Sequence, residues 1–145
     1  MVLELIAVFS VALFTGAAIY INLVEHPARV ECGTSAAMQQ WRPSYRRAAV
    51  LQASLALIGF ATAVGSWFRG RGAAVLVAAL LIGAVIPFTL LVIYPTNQAL
   101  HNPSLDTGSA DAAALLAKWN RLHAVRSGLA LAALITLLLH LGGAV

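Results

Sequence analysis

Apolar residues fall into four long runs along this chain, and strongly polar residues are confined almost entirely to the gaps between them. The first run, Val2 to Val24, holds only Glu4 and Asn22 as strongly polar members, and the second, Ala48 to Phe68, holds Gln52 and a few small hydroxyls. The third, Ala73 to Tyr94, carries no charge and one proline, Pro87. The fourth, Ala124 to Leu141, continues a helical pattern that begins near Ala110. A bilayer core about 30 Å thick is crossed by roughly 20 apolar residues in a helix, so each run is long enough to span. Lipid offers no partner to open backbone groups, which leaves helices as the spanning form. The first run lacks a basic start and exceeds a typical leader core, so it reads as a span. The pattern predicts an all-α, integral membrane four-helix bundle in a single domain, residues 1–145. Its spans lie at about 2–24, 48–68, 73–94 and 124–141, with an interfacial loop at 25–47 and a polar loop at 95–123.

The connections differ in kind. Arg69-Gly70-Arg71-Gly72 is a tight hairpin that makes the second and third helices antiparallel neighbours. An even number of crossings then puts both long connections on one face. In the first of them, Ala28 to Gln40 reads as a short interfacial helix that Arg42-Pro43 breaks before the second span. In the other, Asn102-Pro103 makes a turn, and Ser109 is placed to cap a helix with Asp111 in its first turn. That helix, Ala110 to Leu141, would extend about 48 Å at 1.5 Å per residue. It protrudes from the hydrocarbon and carries Trp119, Asn120, His123 and Arg126 near the boundary. Gly59, Gly65 and Gly83 permit close helix packing within one bundle or between copies, which leaves a homo-oligomer open.

Composition agrees with a membrane location. The 145 residues are 61% hydrophobic and 10% charged, against about 25% charged in soluble domains. The net charge of +4 comes from arginines beside apolar spans, which suits lipid headgroups and gives no basic face for nucleic acid. Counting Arg29, Arg42, Arg46, Arg47, Lys118, Arg121 and Arg126 against Arg69 and Arg71 puts the long connections in the cytoplasm. The lone Cys32 forms no intrachain disulfide and reads as a plain small residue.

Polar side chains converge on the face with the long connections. Trp119, His123 and Arg126 are spaced by four and three residues, so they share one side of a helix with Asn120 at its flank. A charge within a span costs about 2.5–3.5 kcal/mol and usually faces protein or a water-filled cavity. The first span leads through Tyr20 into Glu25-His26-Pro27, and the third ends Tyr94-Pro95-Thr96-Asn97. A histidine can remove a proton from a weakly acidic carbon or phenol. An arginine stabilises the resulting oxyanion, and aromatic walls hold a flat, lipid-soluble ring. The candidate catalytic residues are therefore His123, Arg126, Glu25 and Arg29. The candidate substrate contacts are Tyr20, His26, Trp41, Tyr45, Tyr94, Asn97, Trp119 and Asn120.

Plainer readings compete for the same residues. The aromatic residues could form a belt at the headgroups, Arg42, Arg46 and Arg47 could contact lipid phosphates, and Glu25 with Arg29 could be a surface pair. His101 reads as a solvated loop histidine, while His140 and Glu4 belong to the opposite face. A metal, if bound, would use Glu25, His26 and His123, although no spacing such as HExxH supports it. A haem or metal redox protein would use His26 and His123. No cofactor is predicted. A non-enzymatic protein that binds lipid or a small apolar ligand is the remaining alternative.

The chain resembles the small four-helix membrane proteins grouped as anthrone oxygenase-like. The resemblance rests on TGAAIYINLVEHPAR in the first span, W-x3-Y-R-R from Trp41 to Arg47, PFTLLVIYPTN from Pro87 to Asn97, and LLAKWNRLHAVRS from Leu115 to Ser127. It is closest to bacterial members with the EHPAR form, which implies a multi-pass protein of a bacterial inner membrane. In fungal relatives it implies oxidation of anthrones to anthraquinones by molecular oxygen without metal or flavin. On that resemblance His123 is expected to be the base, Arg126 and Arg29 the anion stabilisers, and Trp119 and Trp41 the ring contacts.

Overall fold

The computed structural model describes residues 1–145, all in helices and short connections with no strand. Four rods make the bundle. The first is α1 (Val2–Tyr20), a π-helical turn (Ile21–Glu25) and α2 (His26–Glu31). The second is α3 (Thr34–Trp67). The third is α4 (Ala73–Phe88), a second π-helical turn (Thr89–Ile93) and α5 (Tyr94–His101), and the fourth is α6 (Ala110–Leu141). All four rods are long and apolar enough to cross a membrane.

The helix expected from Ala110 to Leu141 is present. The interfacial helix expected at Ala28 to Gln40 is interrupted at Cys32 and Gly33, and its second part opens α3. The interfacial loop at 25–47 shrinks to Cys32 and Gly33, where Gly33 takes φ 92° to reverse the chain. The polar loop at 95–123 shrinks to the stretch from Asn102 to Ser109, and the expected Ser109 cap is present, its Oγ accepting from the Ala112 N–H at 3.1 Å. The break expected at Arg42-Pro43 is absent, because α3 runs through Pro43. Proline ends a helix only where the lost hydrogen bond and the ring clash cannot be absorbed. Pro27 and Pro95 are absorbed by the π turns before them. The His26 N–H reaches back five residues to the Ile21 carbonyl, and the Tyr94 N–H does the same to Thr89.

In the bundle, α1 packs on α3 and α6, and α4 packs on the same two helices. The half nearest the hairpin is filled by small and aliphatic residues, among them Ala7, Val11, Ala63, Ala78, Ile82 and Leu137. Two of the glycines are used within the chain. A Cβ on Gly83 would lie 2.7 Å from the Phe60 ring, and one on Gly59 would lie 2.9 Å from Val11. At the hairpin end, the buried Glu4 carboxylate accepts from Arg71 Nη2 at 2.8 Å and His140 Nε2 at 3.2 Å and pairs with the Met1 amino group at 2.8 Å. This cluster ties α1, the hairpin and the end of α6 together.

Because Phe60 occupies the place of a side chain at Gly83, Gly83→Val should lower bundle stability by about 1–3 kcal/mol through overpacking. Gly16→Ala, where the added methyl meets open space, should leave it unchanged or slightly raised. Thermal unfolding of both variants in detergent checks the contrast.

Candidate active site

The loop-side half of the bundle holds a cavity of about 270 Å³ reached by all four rods, close to the lower end of ordinary ligand pockets. Along the first rod it extends from Arg29 to Phe14, roughly 20 Å at the helical rise.

The π turn and α2 of the first rod deliver two polar hubs. Glu25 Oε1 accepts from Arg29 Nη2 within the rod, and from Gln40 Nε2 and Ser44 Oγ of α3, each at 2.8 Å. Arg29 is 6% exposed and lines the cavity with its Nε unpartnered. The pair read from sequence as a surface contact has a buried Arg29 and a partly exposed Glu25, and Glu25 ties the first rod to α3 through Gln40 and Ser44. The second hub is Asn22. Its Oδ1 lies 2.9 Å from His123 Nδ1 and 2.6 Å from Ser127 Oγ, and its Nδ2 lies 2.8 Å from Asn120 Oδ1.

Aromatic rings form the upper wall. Trp41 stacks on Tyr45 with centroids 5.0 Å apart and meets the edge of Trp119 at 5.7 Å. Trp119 packs on His26 at 5.6 Å and on His123 at 4.8 Å. Asn97 donates to the Tyr45 hydroxyl at 3.0 Å. Lower down, the Arg126 guanidinium lies 5.1 Å over the Phe14 ring and has no acid partner. Buried polar groups are normally hydrogen-bonded, yet Trp41 Nε1, Gln52 Nε2, Asn97 Oδ1, Arg29 Nε and Arg126 Nε are buried without partners. All five belong to residues that line the cavity.

The cavity thus gathers His123, Arg126, Arg29, Trp41, Tyr45, Tyr94, Asn97 and Trp119 from the sequence-derived set. Glu25, His26 and Asn120 stand behind the wall, as a strut, a packing partner of Trp119 and an acceptor for Asn22. Tyr20 is 57% exposed on the outer surface and lies apart from the cavity. His101, expected in a solvated loop, ends α5 and packs on Trp41 at 5.1 Å. Glu25, His26 and His123 do not gather as a three-ligand group, because both imidazoles pack on Trp119 while the carboxylate is turned to Arg29, Gln40 and Ser44. The residues that sequence reasoning left out of the site are Asn22, Gln52, Ser44 and Ser127. Asn22 and Gln52 are the strongly polar interruptions of the first two spans apart from Glu4.

Residues 41–136 match the profile of the family described as anthrone oxygenase, which is more than half of the chain. The chain belongs to the anthrone oxygenase family. It is also similar to the anthrone oxygenase tpcL of Aspergillus fumigatus, with 29% identity over 131 residues that cover 83% of this chain and 81% of that protein. No solved structure matches it. The family profile takes in the cavity residues from Trp41 to Arg126, while Glu25 and Arg29 precede its start.

Arg29 is the buried member of its pair with Glu25, and removal of Glu25 leaves that charge uncompensated. Glu25→Ala should therefore destabilise the bundle by about 3 kcal/mol, measured as a lower unfolding midpoint in detergent. Arg29→Gln combined with Glu25→Gln, which removes both charges, should recover part of that loss.

Proposed function

We propose that this protein is a membrane-embedded oxygenase for a hydrophobic phenolic, anthrone-like or quinol-like substrate, acting by proton abstraction followed by reaction with O2. Membership of the anthrone oxygenase family supports an oxygenase-type activity in general. The observation that carries the specific reading is the pairing of a base and a cation in one cavity. His123 uses Nδ1 on Asn22 and has Nε2 free of protein partners, while Arg126 faces the same space with no carboxylate. Aligned donors placed where negative charge develops lower the barrier to forming it.

For an anthrone-like ring the steps balance. His123 Nε2 takes a proton from the activated ring methylene, and the electron pair moves toward the carbonyl oxygen, which Arg126 stabilises as the oxyanion. The electron-rich carbon then bonds to O2. One oxygen atom remains as the new carbonyl, and the other leaves as water with the two methylene hydrogens. The carbon gives up four electrons and O2 accepts four, so no further reductant enters. The donor-rich lining fits this substrate class, since Trp41, Gln52, Arg29 and Arg126 each offer an unpartnered N–H.

Access from the bilayer is part of the same reading. Ala53 of α3 and Leu90 and Tyr94 of the third rod line the cavity and are also exposed on the bundle flank. They frame a mouth between α3 and the third rod through which a lipid-soluble ring can pass. A location in a bacterial inner membrane completes the proposal. The same mouth would suit a lipid chain held without turnover, the alternative that an oxygen-uptake measurement separates.

Oxygen uptake and quinone absorbance with an added anthrone should show turnover by the purified protein. His123→Gln should lower kcat by about 10²–10⁴, and Arg126→Gln by about 10²–10³, with both variants folded. Turnover unchanged in His123→Gln would sink the assigned base. Ala53→Trp, which narrows the mouth away from both groups, should reduce kcat/KM severalfold for a membrane-partitioned substrate without lowering the unfolding midpoint.

A further inference from the structure

Asn22 lies in the π turn of the first rod, and its partners determine which ring nitrogen of His123 carries the proton. Nδ2 of Asn22 lies 3.1 Å from the backbone carbonyl of Asn120. A carbonyl only accepts, so that end of the amide is the NH2 group and the other end is the oxygen. This oxygen faces His123 Nδ1 at 2.9 Å and Ser127 Oγ at 2.6 Å. The Ser127 hydroxyl has one proton and two acceptors in reach, Asn22 Oδ1 and the His123 carbonyl at 3.0 Å. Were the proton on the carbonyl side, two bare oxygens would face each other at the shorter of those distances. It therefore points to Asn22.

An amide oxygen cannot donate to the imidazole, so His123 Nδ1 must. A neutral ring that carries its proton on Nδ1 presents a lone pair at Nε2. We infer that Asn22 is a positioning residue that holds His123 in the Nδ1–H tautomer and so makes Nε2 the proton acceptor toward the cavity. The inference rests on the proposed oxygenase reading for its catalytic consequence, while the tautomer itself stands on the geometry. The arrangement also serves after proton transfer. The protonated ring still donates from Nδ1 to the same oxygen, so the support needs no rearrangement as the base takes up its proton. Ser127 and Asn120 fix the amide in turn, as outer partners orient a metal-bound histidine elsewhere. A neutral amide does this without placing a second charge among apolar residues, where an unpaired carboxylate would be costly.

The test is nitrogen-15 NMR of histidine-labelled protein in nanodiscs, at a pH where the ring is neutral, with the His123 signals assigned by their loss in His123→Gln. The wild-type spectrum should show a protonated Nδ1 and an unprotonated Nε2. In Asn22→Leu the Nε2–H form should appear, and kcat should fall about a hundredfold or more with KM little changed, as expected when a base is left in the wrong tautomer. Asn22→Asp keeps the acceptor oxygen and should retain the Nδ1–H form with a larger share of the activity than Asn22→Leu. A wild-type ring protonated on Nε2 overturns the inference, and that spectrum decides the matter even if Asn22→Leu does not fold. An unaltered tautomer and kcat in folded Asn22→Leu also overturn it. If the Nδ1–H form is found but no anthrone or quinol is turned over, the positioning by Asn22 stands and the oxygenase reading falls.

Discussion

Two proline rings set the shape of the loop-side half. Pro27 and Pro95 each lack an N–H and crowd the carbonyl four residues earlier, at Leu23 and Leu91. Each rod accommodates its proline by widening to hydrogen bonds that reach back five residues. A π turn inserts one residue and changes the face that the following helix presents, by about 100° at 3.6 residues per turn. The segments after the two turns, α2 and α5, supply Arg29 and Asn97 to the cavity. The turns themselves supply Asn22 and Ile93, one as the support of His123 and the other as apolar wall. Such insertions are tolerable at membrane depth because neighbouring helices shield the disturbed backbone.

The two halves of the bundle solve different problems. The hairpin half is close-packed, with glycines that let Val11 and Phe60 approach a facing helix, and its one buried acid is met by Arg71, the Met1 amino group and the His140 ring. The loop-side half has fewer small residues and more aromatic ones, which leave a gap where the rods separate. Its charges are treated unequally. Arg29 is neutralised by Glu25, whereas Arg126 has only the face of Phe14. A cation kept this way is poorly explained by folding, because breaking even with desolvation requires a paired charge. It suits the proposed oxygenase reading, in which an anion forms beside Arg126.

The four rods could be read from hydropathy because lipid imposes length and helicity directly. Their ends could not, and the reason is specific. In water a proline at position 27, 43 or 95 is a fair stop signal, and a polar stretch such as 34–47 reads as a loop; in this bundle both are carried inside continuous helices. The line of Trp119, His123 and Arg126 was legible because all three sit on one regular helix. The first-rod contribution was harder, since a π turn breaks the spacing on which such counting depends. Tyr20, just before the turn, was assigned inward and points out, while Asn22, just after it begins, was left out of the site set and touches His123. Glu25 and Arg29 were seen as a pair, but the α3 donors to Glu25 are Gln40, at the end of the expected interfacial helix, and Ser44, beyond the expected break.

The clasp of Glu4, Arg71 and His140 has a consequence for the membrane itself. It caps the hairpin end, and beneath it a packed core that includes Ala7, Val11, Ala78 and Leu137, with the buried hydroxyls of Ser10, Thr15 and Ser66 among it, separates that end from the cavity. On the proposed oxygenase reading, a proton taken up by His123 lies nearer the loop-side face than the hairpin face. Turnover that returned it by that nearer face would move no net charge from one side of the bilayer to the other. Such an oxidation would be electrically silent, indifferent to the membrane potential and unable to draw upon it.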